Sequence, residues 1–190
     1  MANTAILRSA AKPRLSVKVQ TLAALAAVAG AVVLPQIFHM LGAVSGLGTA
    51  LGETFLPMHL PIILVGLLAG PYAGAAAGLL GPLVSFAVSS MPGAVMLPFI
   101  MIELFAYGLF AGLLRNVKMP TFAKLLIVQV GGRALRAAAT LTAVFAFGNE
   151  KVQIASIWMS VVTGICGIVL QWALIPLIVY RVDHLSKNEK

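Results

Sequence analysis

Apolar runs long enough to cross a lipid bilayer follow one another along almost the whole chain, and this limits the fold more than any other feature. Hydropathy breaks at prolines, glycines and charges into six candidate spans, 18–42, 56–70, 72–90, 96–115, 121–147 and 151–180. A helical crossing needs about 20 residues, with about 17 tolerated. Of the 190 residues 61% are hydrophobic and 9% charged, more apolar surface than a soluble domain of this size could hide. In lipid every backbone polar group must be satisfied inside the protein, which favours helices. The expectation is an all-α integral membrane bundle of six transmembrane helices, forming a single domain over 1–190 with the lipid bilayer as its solvent.

The basic residues orient this bundle. Arg8, Lys12, Arg14 and Lys18 precede or open the first span, Arg115, Lys118 and Lys124 flank the fourth and fifth, and Arg181, Lys187 and Lys190 follow the sixth. The opposite side carries Glu53, Glu150 and Lys151. The positive-inside rule then puts both termini in the cytoplasm, with basic tails at 1–17 and 182–190. The net charge of +8 is thus a topology signal, and no nucleic-acid partner is implied. Trp158 and Trp172 fall near opposite ends of the last span, as an aromatic belt would place them. The one cysteine, Cys166, lies in an apolar run and matches no metal spacing.

Polar groups inside the spans mark the candidate site. The fifth span, "VQVGGRALRAAATLTAVFAF", places Gln129, Arg133, Arg136 and Thr140 on one helical stripe, while Leu135, Ala138 and Leu141 point elsewhere. Moving the span to exclude the arginines leaves only 137–147, about 16 Å of helix and too short to cross. An arginine at mid-membrane costs at least roughly 2.5–3.5 kcal/mol, so both must face a partner or a wet cavity. The fourth span, "PFIMIELFAYGLFAGLLR", supplies Glu103, with Tyr107 one turn away on the same face. A Glu103–Arg136 or Glu103–Arg133 ion pair is the simplest account. It serves either as a permanent lock on helix register or as part of a ligand site, and one glutamate cannot satisfy two guanidiniums. Guanidinium favours a carboxylate- or phosphate-bearing ligand. Ser156, Ser160, Thr163, Gly164 and Gly167 read as close helix packing, His39 as an interfacial residue and Gln171 as structural.

Small residues recur at Gly66, Gly70, Gly74 and Gly78, and at Ala23, Ala27 and Ala31. Such ridges let helices approach closely, within the fold or against another membrane protein, and the alanine ridge is the better candidate for a partner. No P-loop, HExxH, GxSxG or metal-ligand spacing occurs, so neither ATP hydrolysis by this chain nor enzymatic catalysis is expected, and no cofactor or metal. An ion- or proton-coupled carrier working alone, with Glu103, His59 and the arginines as a relay, is the alternative class. Inverted halves with matching broken helices would support it and are not evident.

The stretches "FLPMHLPIILVGLLAGPYAGAAAGLLGPLVS", "SMPG" and "IELFAYGLFAGLLR" resemble the substrate-binding components of energy-coupling factor (ECF) vitamin transporters. The motifs lie within 53–115, and the six-span layout extends the resemblance over the whole chain. "SSMPGAV" departs from the pattern by lacking a second proline after Met-Pro. The resemblance implies a six-helix protein of the bacterial cytoplasmic membrane that binds a small water-soluble vitamin or related micronutrient from outside. It implies delivery together with a transmembrane scaffold subunit and two ATP-binding subunits, by toppling in the membrane. A small-residue surface on the first helix would meet the scaffold, a role that Ala23, Ala27 and Ala31 would match. The family's site region includes Glu53, His59, Glu103, Arg133 and Arg136 here. His59 reads equally well as bonded to a backbone carbonyl, and Glu53 as a solvated loop charge. Tyr107, Gln129 and Thr140 complete the candidate substrate-binding set.

Overall fold

The computed structural model describes residues 15–188, with side chains through residue 185. Among the described residues the elements are all helices: α1 (Val17–Ser45), α2 (Ala50–Phe55), α3 (His59–Ala69), α4 (Pro71–Ser89), α5 (Leu97–Leu113), α6 (Thr121–Phe145), α7 (Ser156–Thr163) and α8 (Ile165–Asn188). Four segments are long and apolar enough to cross a membrane: Val17–Ser45, Ala50–Ala69, Pro71–Ser89 and Ile165–Leu185. Leu97–Leu113 is apolar but shorter, and α6 is long but carries Lys124, Arg133 and Arg136. The basic residues expected in the first tail, Arg8, Lys12 and Arg14, lie outside the described residues. Residues 182–188 continue α8, so the segment read as a C-terminal tail begins as helix.

Glycine sets the central contact. A Cβ at Gly74 or at Gly108 would collide with the backbone of the other, and one at Gly78 would meet the Leu104 backbone. Gly112 faces Gly70 and Pro71 in the same way, and Gly66 faces the Gly108 carbonyl. The Gly66/Gly70/Gly74/Gly78 ridge therefore packs α3 and α4 onto α5, backbone against backbone, as small residues permit in lipid. The buried core runs from α1 through α3, α4 and α5 to α6 and α8, with Ile62, Ile63, Leu104, Leu125 and Ile175 fully enclosed.

The alanine ridge of α1 turns largely inward. Ala27 keeps 7% exposure and Ala31 none, and Ala23 is half-buried against the same core. Ala31 sits against Gly81 of α4, and Gly30 beside it takes Pro61 of α3. Ala27 and Ala31 are thus taken up by packing within the chain, while Ala23 stays partly exposed. The outward face of α1 mixes large and small residues, with Leu22, Leu25, Val33 and Ile37 exposed alongside Ala26 and Ala29.

Two spans also differ in shape from the sequence reading. The second is helix only from His59, with α2 before it and a break at Leu56–Met58; Pro61 falls in the first turn, where a missing N–H costs nothing. The sixth is divided at Gly164 into α7 and α8. A Cβ at Gly164 would press on the Leu56 side chain, and one at Gly167 on the Phe55 carbonyl, so the division seats the last two helices on the end of α2.

Candidate functional site

A cavity of about 420 Å³ opens at one end of the bundle. That end gathers the C-terminal halves of α1, α4 and α6, the start of α3 and the N-terminal half of α5, with α2 and α7 across the mouth. The volume lies in the range of roughly 300–1,000 Å³ found for small-molecule sites. Glu103 and Arg136 lie at its inner end, beside His59.

The sequence brings these groups together through small residues on α6. Gly132 lies against the Tyr107 ring and Gly131 against Phe110, so α6 approaches α5 closely enough for its arginines to reach Glu103. Glu103 is 1% exposed. Its Oε2 accepts from Arg136 Nη1 at 2.8 Å, and its Oε1 accepts from the Tyr107 hydroxyl at 2.8 Å. Arg133 Nε donates to the Tyr107 oxygen at 3.0 Å and stands 3.8 Å from Glu103 Oε1. Of the two pairings expected from sequence, the direct one is Glu103–Arg136, while Arg133 acts mainly through Tyr107. The His59 ring packs on Tyr107 with centroids 5.4 Å apart. Among buried polar atoms, His59 Nδ1, Arg133 Nη1 and Arg136 Nε have no partner within the protein.

The candidate residues thus separate. Glu53, His59, Glu103 and Arg136 line the cavity. Glu53 is exposed at the mouth, accepting from the Thr49 hydroxyl at 3.3 Å. Tyr107 and Arg133 stand behind the lining and hold Glu103 in place. Thr140 is buried on the same stripe without lining the cavity. Gln129 lies away from it: its amide nitrogen donates to Gln171 Oε1 at 2.9 Å, and its oxygen accepts from Trp172 Nε1 at 2.7 Å. That bond ties Trp172 into the bundle, while Trp158 is 73% exposed.

Other lining residues were not singled out as site residues from sequence. His39 and Pro35 come from α1, Ser85 from α4, and Met91, Pro92, Gly93 and Met96 from the segment before α5. Ser156, Met159, Ser160 and Thr163 of α7 close one side. The hydroxyl spacing on α7 was visible, but the close contact on α2 is made by Gly164 after α7 and Gly167 in α8. Ser160 donates to the Ile157 carbonyl at 3.0 Å and Thr163 to that of Met159 at 2.7 Å. Four methionines, Met58, Met91, Met96 and Met159, share the lining, an adaptable and polarisable surface.

An acid and an arginine buried together at the inner end of an otherwise apolar chamber can bind and orient a polar group while the walls hold an apolar body. Among the described residues no nucleophile–base arrangement accompanies them. Comparison with known proteins gives one positive finding: the family model described as ECF transporter, substrate-specific component, matches residues 17–179. No curated protein and no solved structure matches. With that match covering most of its length, the chain belongs to the substrate-specific components of ECF transporters, which are transport proteins and not enzymes.

Proposed function

We propose that this chain captures a small water-soluble vitamin or related micronutrient in the α1–α7 cavity and hands it on within an ATP-driven importer. ECF substrate-specific components bind small molecules and work with scaffold and ATPase subunits. The observation that carries the reading for this chain is the cavity of about 420 Å³ with the Glu103–Arg136 pair at its inner end. Tyr107 and Arg133 position that pair, and His59 and Glu53 complete the polar surface.

In this reading the chain crosses the bacterial cytoplasmic membrane six times as one domain, with α2 and α3 forming one crossing and α7 and α8 another. Both termini are cytoplasmic, on the strength of the basic residues flanking α1, α5, α6 and α8. The cavity then opens outward, at the C-terminal ends of α1, α4 and α6. Arg133 and Arg136 lie at membrane depth, where an ionisable group calls for a partner. The scaffold partner would meet a face of α1 other than the alanine ridge.

The test uses the full-length protein in detergent, mixed with the water-soluble vitamins and read by native mass spectrometry. A Cβ at Gly93 meets nothing within 4 Å, so Gly93→Trp adds a plug at the mouth without displacing its surroundings. One vitamin adduct is expected on the unmodified chain and none on the plugged variant. An adduct equally abundant on both, or on neither, refutes the cavity as the substrate site.

A further inference from the structure

The cavity is chemically lopsided, and the asymmetry points to one kind of ligand. Two guanidiniums, Arg133 and Arg136, face one carboxylate, Glu103, which leaves one positive charge over at the inner end. Of the two cations only Arg136 lines the cavity. Its Nη1 is committed to Glu103 and its Nε is enclosed without an acceptor in the protein, while the side chain keeps 12% exposure where it lines the cavity.

The α7 part of the lining has the opposite character. The Ser160 and Thr163 hydroxyl hydrogens are spent on α7 carbonyls, so the oxygens facing the cavity are left as acceptors. Glu53 at the mouth is a carboxylate, again an acceptor. The apolar part of the lining includes Leu56, Met58, Met91, Met96 and Ile100.

We infer that the ligand is a singly charged carboxylic acid whose acid group meets Arg136 and which also carries an apolar portion and hydroxyl or N–H donors for the α7 hydroxyl oxygens and Glu53. This rests on the cavity being the substrate site. A single surplus cation is balanced by a monoanion. A phosphate monoester brings a charge of roughly −1.5 to −2, more than the surplus, and leaves negative charge buried beside Glu103. An uncharged ligand leaves the guanidinium surplus unanswered. A carboxylate also suits the fork of an arginine better than a single-point acceptor does.

Four probes on one scaffold test this by thermal stabilisation of the full chain in detergent: para-(hydroxymethyl)phenylacetate, its primary amide, para-(hydroxymethyl)benzyl phosphate, and phenylacetate. The first is expected to bind about tenfold or more tightly than its amide or the phosphate, the scale of one lost charge-assisted contact. Phenylacetate, lacking the donor, should bind several-fold more weakly than the first. Arg136→Gln should abolish the preference for the carboxylate over its amide. The inference is overturned if the amide or the phosphate binds as well as the acid, if the preference survives Arg136→Gln, or if none of the four binds. Gly93→Trp separates the two readings. A phosphate- or amide-preferring site that the plug blocks leaves the cavity standing and removes the acid; acid binding that the plug does not touch removes the cavity.

Discussion

Removing the anion of the Glu103 cluster should cost far more stability than removing the cation that pairs with it. In Glu103→Gln, Arg136 loses its acceptor at 2.8 Å, Tyr107 loses a charged acceptor at 2.8 Å, and Arg133 loses the carboxylate 3.8 Å away. Two guanidiniums are left facing one another beside a neutral amide. Breaking a buried pair by removing one partner costs about 3–5 kcal/mol, and here both stranded charges have the same sign. In Arg136→Gln, Glu103 keeps the Tyr107 hydroxyl and has Arg133 within reach, so the remaining charges balance one to one. The loss is then closer to that of a charged hydrogen bond, about 1.5–3 kcal/mol. For a chain of this length each kcal/mol corresponds to roughly 2–4 °C in Tm. Ligand-free thermal unfolding in detergent should therefore place Glu103→Gln well below Arg136→Gln. The double variant should recover part of the Glu103→Gln loss, because it removes one of the two stranded cations. An Arg136→Gln protein as unstable as Glu103→Gln, or a double variant worse than either single one, would refute the idea of two cations sharing one anion.

Three further outcomes follow from the packing and the topology. Gly108→Val drives a side chain into the Gly74 backbone and should abolish the monodisperse folded peak in detergent chromatography, whereas Gly93→Val, with open space around it, should leave that peak unchanged. Ala27→Phe should reduce folded yield as well as transport, since Ala27 is buried, while Leu25→Phe on the exposed face of the same helix should leave yield intact; normal ligand binding by folded Ala27→Phe would contradict this. A cysteine replacing Gly93 should react with an impermeant thiol reagent in intact cells and one replacing Lys118 should not, the reverse pattern being incompatible with an outward-facing cavity.

Much of the helical layout was legible because lipid allows so few alternatives, and the Glu103–arginine pairing because unpaired charge at that depth is costly. Direction around a helix was harder. Helix α1 is apolar on all sides, so nothing in its pattern separates the face that meets α3 and α4 from the face that meets solvent lipid. Alanines every fourth residue look the same for either, and Ala27 and Ala31 proved to be interior. On α6 the stripe carrying Gln129, Arg133, Arg136 and Thr140 was visible, but Gln129 lies about 10 Å along the axis from Arg136 and belongs to a different neighbourhood. Its partners, Gln171 and Trp172, are more than forty residues away in the chain, and no local pattern announces them. The Gly164 break was equally hidden, since the Leu56 side chain that packs on it lies more than a hundred residues away in the chain.

The contact between Gly74 and Gly108 bears on how such a chamber can open. Where two main chains touch with no side chains between them, a shift of one residue along α4 would drive Ala73 or Ala75 into the α5 backbone. Helices α4 and α5 are thereby keyed together, and Ser85, Ile100 and Glu103, which they contribute to the lining, form an unyielding back panel. Across the mouth, α2 and α7–α8 are joined in turn, with Gly164 and Gly167 seated on Leu56 and Phe55. Glu53 on α2 and the α7 hydroxyls are therefore held in one packed unit beside the cavity, and a substitution that enlarges Gly164 or Gly167 would disturb both at once.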